Sequence, residues 1–255
     1  MPANTPRLAQ IWRHPVKGLG GERLTRVTLA PGTTLPGDRL WAVAHEGSRY
    51  DPRAPGWAPC GGFLRATRAP ALVTTRVSLD EASGRLALAH PRRPTLALDP
   101  EAPDALARLV GWLGDLWPDE APRPVALARV PGRGMTDTDY PSLSLLSLAS
   151  LRALSQRMGV PLDPRRFRGN LWLDGLAPWA EFDLVGRELT IGGARLRVVE
   201  PITRCAVTRS NPETGRPDVD TLAALSAHCG HRCFGVYCEV IEGGAVDEGD
   251  PMVAP

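Results

Sequence analysis

The 255-residue chain is 43% hydrophobic, so it can bury a substantial core in one large domain or two joined ones, and this composition excludes a disordered protein. Its net charge is only +2, with acidic and basic residues interspersed, which argues against nucleic acids or membrane surfaces as partners. No apolar run could span a bilayer, and the first ten residues lack a signal-peptide pattern, so we expect a cytoplasmic protein. The five cysteines show no framework spacing and predict free thiols.

The first half of the chain is predicted to be mostly β-strand. Alternation over residues 7–30 predicts two strands joined by a Gly-rich loop that holds Lys17 and Gly18, and a turn opens the next strand, 40–44, with Arg39 at its mouth. Further elements follow in order: an exposed loop or lid over 50–62, a hairpin of strands 72–79 and 85–90, and a helix over 104–117.

The second half is predicted to contain two more helices among strands. A strand over 125–130 precedes the strongest helix, 143–158, whose serine-rich start includes Ser147 and could cap the helix or offer amides to an anion. The remaining elements are a strand near Asn170, a β-rich run ending at 199, a short helix over 218–228, a strand over 234–241 and a closing strand. Many short strands, few helices and no βαβ rhythm predict a mainly β, α+β fold of β-barrel type.

Lys17 is the only lysine among the 30 basic residues. The bias toward Ala, Arg, Pro and Gly suggests that generic cations drift to arginine in this chain. A compact ammonium differs from a planar guanidinium, so the retained lysine indicates a site that needs a point charge, such as a phosphate site.

Cys205 is the first candidate for chemistry. It follows Arg204 at the end of a predicted strand, where a guanidinium favours the thiolate if both side chains share a cleft. Taken alone, the segment also fits a small buried hydrophobic cysteine. His228, Cys229, His231 and Cys233 have zinc-like spacing, but a helix end running into a strand would point alternate side chains apart, and both interpretations stay open.

Six residues of complementary chemistry lie at predicted strand or loop ends: Lys17, Arg39, Arg168, Asn170, Arg204 and Cys205. In a closed barrel such ends can converge at one rim, which would place cations, an amide and a thiol around one pocket. That combination favours a phosphorylated cofactor carrying a soft or high-valent metal.

Seven segments in order resemble a MOSC protein with its N-terminal β-barrel companion: 14–18, 37–41, 145–151, 166–170, 204–205, 234–237 and 249–251. The resemblance implies an N-terminal β-rich domain over residues 1–125 and a MOSC β-barrel domain over residues 126–255. It also implies kinship with the mitochondrial amidoxime-reducing component and bacterial YcbX-like proteins, which hold molybdenum cofactor and reduce N-hydroxylated compounds.

The resemblance further implies roles for individual residues. Cys205 would ligate molybdenum beside Arg204, while Lys17, Arg39 and Arg168 would hold the pterin phosphate and pyran edge. Gly18, Ser147 and Asn170 would be their companions. The chain departs from the family at Gly18, where serine is frequent, at Gly169, where proline is usual, and at Ile202, where a second cysteine often stands.

Three functions follow as hypotheses. The first is a molybdenum-dependent oxidoreductase that cleaves N–O bonds of a small-molecule substrate, with a separate reductase as electron donor because no four-cysteine iron–sulfur module follows. The second is a carrier of molybdenum cofactor, or of sulfur as a persulfide on Cys205. The third is a barrel that has lost the cofactor and acts through protein contacts. We expect a monomer.

Overall fold

The computed structural model describes residues 5–254. These residues form the strands β1 (Arg7–Arg13), β2 (Glu22–Leu24), β3 (Arg26–Leu29), β4 (Ala42–His45), β5 (Arg76–Leu79), β6 (Leu86–His90), β7 (Arg93–Leu98), β8 (Pro124–Ala128), β9 (Leu143–Ser147), β10 (Leu171–Asp174), β11 (Glu188–Ile191), β12 (Ala194–Thr203), β13 (Cys233–Glu242), β14 (Gly244–Asp247) and β15 (Met252–Val253). The α-helices are α1 (Ala105–Leu113), α2 (Leu148–Met158) and α3 (Thr221–Cys229). The prediction of a mainly β, α+β fold is confirmed. Within residues 5–254, no helix is both long and apolar enough to cross a membrane.

The main sheet has eight strands in the order β15-β11-β12-β13-β9-β10-β1-β2. Two strands of this sheet, β1 and β2, come from the first part of the chain. Ile11 of β1 pairs with Leu171 of β10 on one side and with Leu24 of β2 on the other. β3 likewise pairs with β14 near the C-terminal end of the chain. The strands between residues 7 and 29 therefore complete sheets built mainly by the second half of the chain, and the division at residue 125 stays a prediction.

The predicted helix over 143–158 is wrong in its first five residues. Those residues form β9, which is buried along its whole length because it lies inside the main sheet between β10 and β13. A Leu- and Ser-rich segment that is buried on both faces shows no hydrophobic periodicity, and this periodicity is what distinguishes a strand from a helix in a sequence. Ser147 ends the strand and caps α2, with its hydroxyl accepting from the Ser150 amide at 3.3 Å. Because β9 and β10 are parallel, β9-α2-β10 is a βαβ connection that the sequence did not predict.

The first half of the chain builds smaller sheets, β4-β8 and β5-β6-β7, over a second core that includes α1. Residues 50–62 form a loop, as predicted, with one short 3-10 turn at Cys60–Gly62. This loop contacts the segment before β9, since Trp57 donates from its indole to the Thr136 carbonyl at 3.1 Å. The loop between β1 and β2 is fixed against the residue before β4, because Lys17 donates its amide to the Trp41 carbonyl at 2.8 Å.

Candidate functional site

Lys17 is buried, with 5% of its surface exposed, and its ammonium points toward the segment between β8 and β9. It donates to the Met135 carbonyl at 2.8 Å and forms an ion pair with Asp137. The Asp137 side chain is itself 55% exposed, so the ion pair opens to solvent on one side. The lone lysine is therefore buried beneath an exposed carboxylate.

Arg39 and Arg168 extend the site from Lys17. The Met135 amide donates to the Arg39 carbonyl at 2.8 Å, and Arg39 in turn donates from Nη2 to the Arg168 carbonyl at 3.0 Å. Arg39 pairs with the buried Asp38, whereas the Arg168 guanidinium, among the described residues, donates only to the Leu19 carbonyl. Burial and the nearby Arg39 charge lower the pKa of Arg168 to about 10. Arg168 is thus a buried cation close to a second positive charge.

Arg204 joins the same network through the residue before Arg168. Its guanidinium donates to the carbonyls of Phe167 and Phe234 at 2.8 Å and lies over both aromatic rings. Burial lowers the pKa of Arg204 to about 10. Three of its five N–H groups are used on these carbonyls, which leaves two without an acceptor within residues 5–254.

Cys205 follows directly and is exposed, unlike the buried Cys238. It lies between the end of β12 and a 3-10 turn, Ala206–Arg209, whose Thr208 hydroxyl donates to the Cys205 carbonyl at 3.1 Å. The thiol is within Coulombic range of Arg168 and Arg204. An accessible thiol beside two cations can serve as a thiolate metal ligand or nucleophile, and the small buried hydrophobic interpretation is excluded.

Four ionisable residues of the cluster were not predicted from the sequence: His14, Asp38, Asp137 and Tyr237. Burial, reinforced by Arg168, lowers the pKa of His14 to about 4, and burial together with Asp137 raises that of Tyr237 to about 12. Both side chains are therefore neutral at pH 7. Although burial opposes ionisation of Asp38 and Asp137, the Arg39 charge lowers the pKa of Asp38, and Lys17 lowers that of Asp137. His14-Pro-Val-Lys and the Asp38-Arg39 pair were visible as motifs, but no local signal marks Asp137.

The other three predicted residues have supporting positions. Asn170 uses its side chain within the main sheet, accepting from the Ser144 amide and hydroxyl and donating to the Trp12 carbonyl. Ser147 is fully buried as the cap of α2 and makes no hydrogen bond to the cluster. Gly18 has φ +85°, and a Cβ there would lie 2.5 Å from the Leu64 carbonyl oxygen, so its backbone lies against Leu64 in a conformation that favours glycine. Binding of a cofactor by these three residues stays a prediction.

The zinc-like segment is not assembled into a metal site. His228 interacts with Arg157 at 2.9 Å, whereas His231 accepts from the Cys233 amide and packs against Phe182. Over residues 5–254, no group of three or more His, Cys, Asp or Glu side chains is placed to hold a metal ion. A single cysteine ligand, as predicted for Cys205, needs the other ligands to come from a cofactor.

Two family models match the chain in succession. Residues 5–115 match the MOSC N-terminal beta barrel domain, and residues 135–253 match the MOSC domain. This chain belongs to the MOSC family. The two MOSC segments meet at the cluster, since Lys17 and Arg39 come from the first and Asp137, Arg168, Arg204 and Cys205 from the second.

Curated relatives of this MOSC protein fall into two groups. It is 25% identical over 260 residues to "Molybdenum cofactor sulfurase" of Drosophila melanogaster, covering 91% of this chain but only 31% of the sulfurase. It is 23% identical over 292 residues to "Mitochondrial amidoxime-reducing component 1" of Mus musculus, covering 96% of this chain and 81% of that protein. Among solved structures, the YUAD protein from Bacillus subtilis is similar over 98% of this chain and 94% of that chain, with 14% identity and a TM-score of 0.45.

Proposed function

We propose that the cluster binds molybdenum cofactor and that the protein is a molybdenum-dependent oxidoreductase acting on N–O bonds of small N-hydroxylated compounds. The observation that carries the proposal is an excess of positive charge beside an exposed thiol. Among the described residues of the cluster, four cations, Lys17, Arg39, Arg168 and Arg204, face two carboxylates, those of Asp38 and Asp137. His14 and Tyr237 are neutral at pH 7, so the excess is two positive charges.

This excess matches the charge of a phosphate monoester, which carries about −1.5 to −2 at pH 7. Arg168 and Arg204 form no salt bridge within residues 5–254, and their guanidinium hydrogen bonds there go only to carbonyl oxygens, so their positive charges are available to a ligand anion. A partly buried guanidinium without a carboxylate partner is costly in a free protein, and a bound anion removes that cost. The donor set therefore fits a phosphorylated group at the Lys17 end and a thiolate-bound metal at the Cys205 end.

When bound, the cofactor would supply a two-electron redox centre, which is the chemistry that an N–O reduction requires. The protein's own residues would position it. Lys17, Arg39 and Arg168 would hold the phosphate, Cys205 would provide the thiolate ligand, and Arg204, fixed by its carbonyl bonds, would stabilise negative charge near the metal. An amidoxime takes up two electrons and two protons to give an amidine and water, and a separate reductase would deliver the electrons.

The protein made in a cofactor-competent host should reduce benzamidoxime to benzamidine with an artificial electron donor. Cys205→Ala should abolish this activity, whereas Cys60→Ala should retain it, because Cys60 lies in the 50–62 loop and forms no hydrogen bond to the cluster within residues 5–254. Retained activity in Cys205→Ala would contradict the proposal.

A carrier of cofactor or persulfide sulfur is the second candidate, supported by the exposure of the Cys205 thiol and by the sulfurase relative. Protein that binds pterin or a cyanolysable sulfur on Cys205 but gives no turnover would favour this carrier over the oxidoreductase.

A further inference from the structure

Tyr237 lies in β13, in the 234–237 segment that resembles the MOSC family, and the proposed function gives it no role in binding or catalysis. Register pairs place it between Glu200 of β12 and Ser144 of β9. Directly opposed residues of neighbouring strands share a face of the sheet, so these three side chains form a row across the main sheet. The Ser144 hydroxyl donates to the Asn170 side chain at 2.9 Å, so the row ends at a residue of the predicted cofactor site.

Tyr237 also lies next to Arg204, the residue before Cys205. The Arg204 Nη2 atom comes within 3.3 Å of the position that a Cβ on Gly235 would occupy, two residues before Tyr237. The Tyr237 side chain is within Coulombic range of both Arg204 and Asp137. Tyr237 is thus placed between the Arg204 end of the cluster, which carries the thiol, and the Asp137 end.

The Tyr237 hydroxyl differs from the other two tyrosine hydroxyls of the chain. Tyr50 donates its hydroxyl to the Arg129 carbonyl at 2.9 Å. Tyr140 donates to the Glu200 carboxylate at 2.8 Å. Within residues 5–254 the Tyr237 hydroxyl forms no hydrogen bond, although its side chain is half-buried. Tyrosine hydroxyls in such surroundings usually have a partner, so this one is free for a ligand.

The chemistry of this free hydroxyl suits an uncharged polar group. Burial, together with Asp137, raises the pKa of Tyr237 to about 12, so the hydroxyl keeps its proton at pH 7. A phosphate is bound most strongly by cations, which Lys17 and Arg39 already supply. An N-hydroxyl group presents an oxygen that accepts and an O–H that donates, and a phenol can pair with both. The free donor therefore matches the reducible end of an N-hydroxylated compound.

We infer that Tyr237 is a catalytic residue whose hydroxyl donates a hydrogen bond to the oxygen of the substrate's N–O bond. The bond stabilises negative charge that develops on this oxygen as it leaves nitrogen. The proton stays on Tyr237, so the overall balance of the reduction is unchanged. The inference rests on the proposed function, because the substrate class comes from it.

The binding test uses oxidised, cofactor-loaded enzyme without an electron donor, so that no turnover occurs. By calorimetry, Tyr237→Phe should bind benzamidoxime about tenfold more weakly than wild type, as expected for loss of one hydrogen bond. Its affinity for the product benzamidine should be unchanged, because benzamidine lacks the oxygen. Tyr50→Phe is the matched control and should bind both compounds like wild type, because the Tyr50 hydroxyl interacts with the Arg129 backbone outside the cluster.

Three results would overturn the inference. The first is equal affinity of Tyr237→Phe and wild type for benzamidoxime, and the second is an equal loss of affinity for benzamidoxime and benzamidine. The third is a lower molybdenum content in Tyr237→Phe, since that would show that the hydroxyl holds the cofactor. We expect the molybdenum content and the melting temperature of this variant to match wild type, because it keeps the ring and loses a hydroxyl without a partner in residues 5–254.

A kinetic measurement separates this inference from the proposed function. With an artificial electron donor, Tyr237→Phe should lower kcat/KM for benzamidoxime about tenfold, whereas Tyr50→Phe should leave it unchanged. Wild-type turnover with an unchanged kcat/KM in Tyr237→Phe would refute the role of Tyr237 and leave the proposed function standing. Wild-type protein without molybdenum and without turnover would refute the proposed function, and the role of Tyr237 would fall with it.

Discussion

Arg39 donates from Nη2 to the backbone carbonyl of Arg168 at 3.0 Å, and both arginines have a left-handed backbone, with φ of 50° and 51°. Side-chain-bearing residues rarely adopt this conformation, which costs about 1 to 3 kcal/mol and persists where surrounding contacts fix it. Because the Arg39 side chain contacts the Arg168 backbone, these two constrained residues hold both guanidiniums at the same site. The cluster is thus a rigid, positively charged site that exists before any ligand binds.

Arg168→Met tests whether that charge serves binding rather than stability. The variant removes a buried cation that lies near Arg39 and has no carboxylate partner within residues 5–254. The free energy of unfolding of cofactor-free protein should therefore be unchanged or rise by about 1 kcal/mol. Retention of cofactor should fall. Urea unfolding and pterin analysis on the same preparations measure the two effects.

Arg166→Met is the matched comparison for Arg168→Met. Arg166 is buried and pairs with Asp218 at 2.8 Å, so its removal should destabilise the protein by about 2 kcal/mol, allowing for the partial exposure of Asp218. A loss of stability at Arg168 as large as that at Arg166 would show that Arg168 is a structural residue.

His14 should make the protein sensitive to mild acid. Its pKa is lowered from 6.5 to about 4, so the unfolded chain binds a proton below pH 6.5 that the folded protein refuses. Stability should therefore fall by up to about 3 kcal/mol as the pH drops from 6.5 toward 4. In His14→Asn this component is absent, so its stability deficit relative to wild type should shrink over that range. A pH-independent difference between the two unfolding curves would rule out this role of His14.

Gly18→Ala should destabilise the loop that carries Lys17. The residue has φ +85°, and the new Cβ would meet the Leu64 carbonyl oxygen at 2.5 Å, so we expect a loss of about 2 kcal/mol. Gly61→Ala is the control, because a Cβ there meets no atom within 4 Å, and its effect should stay within about 0.5 kcal/mol. Thermal unfolding that gives the same midpoint for both variants would argue against the constraint at Gly18.

The sequence predicted those elements whose signals are local. α2 ends at Met158 as predicted, where Gly159 adopts a left-handed C-cap, and α3 begins after the Asp220 cap at Thr221, inside its predicted range. The 143–147 segment was misassigned because burial on both faces removes the alternation that identifies a strand. Which strands pair, such as β1 with β10, depends on contacts far apart in the chain and has no local signal.

The site could be predicted in part for the same reason. Lys17 and Cys205 stand out by composition and position, and the structure connects Lys17 to Arg204 through Met135, Arg39 and the segment before β10. Asp137 joins the cluster only because its loop folds back across 120 residues to reach Lys17.

The most direct test of the account is the molybdenum and pterin content of protein purified from a cofactor-competent host, compared with Cys205→Ser and with Cys60→Ser as control. The account predicts near-stoichiometric molybdenum with pterin in wild type and Cys60→Ser, and loss of molybdenum in Cys205→Ser. Neither molybdenum nor pterin in the wild-type protein, or equal molybdenum in Cys205→Ser, would contradict it.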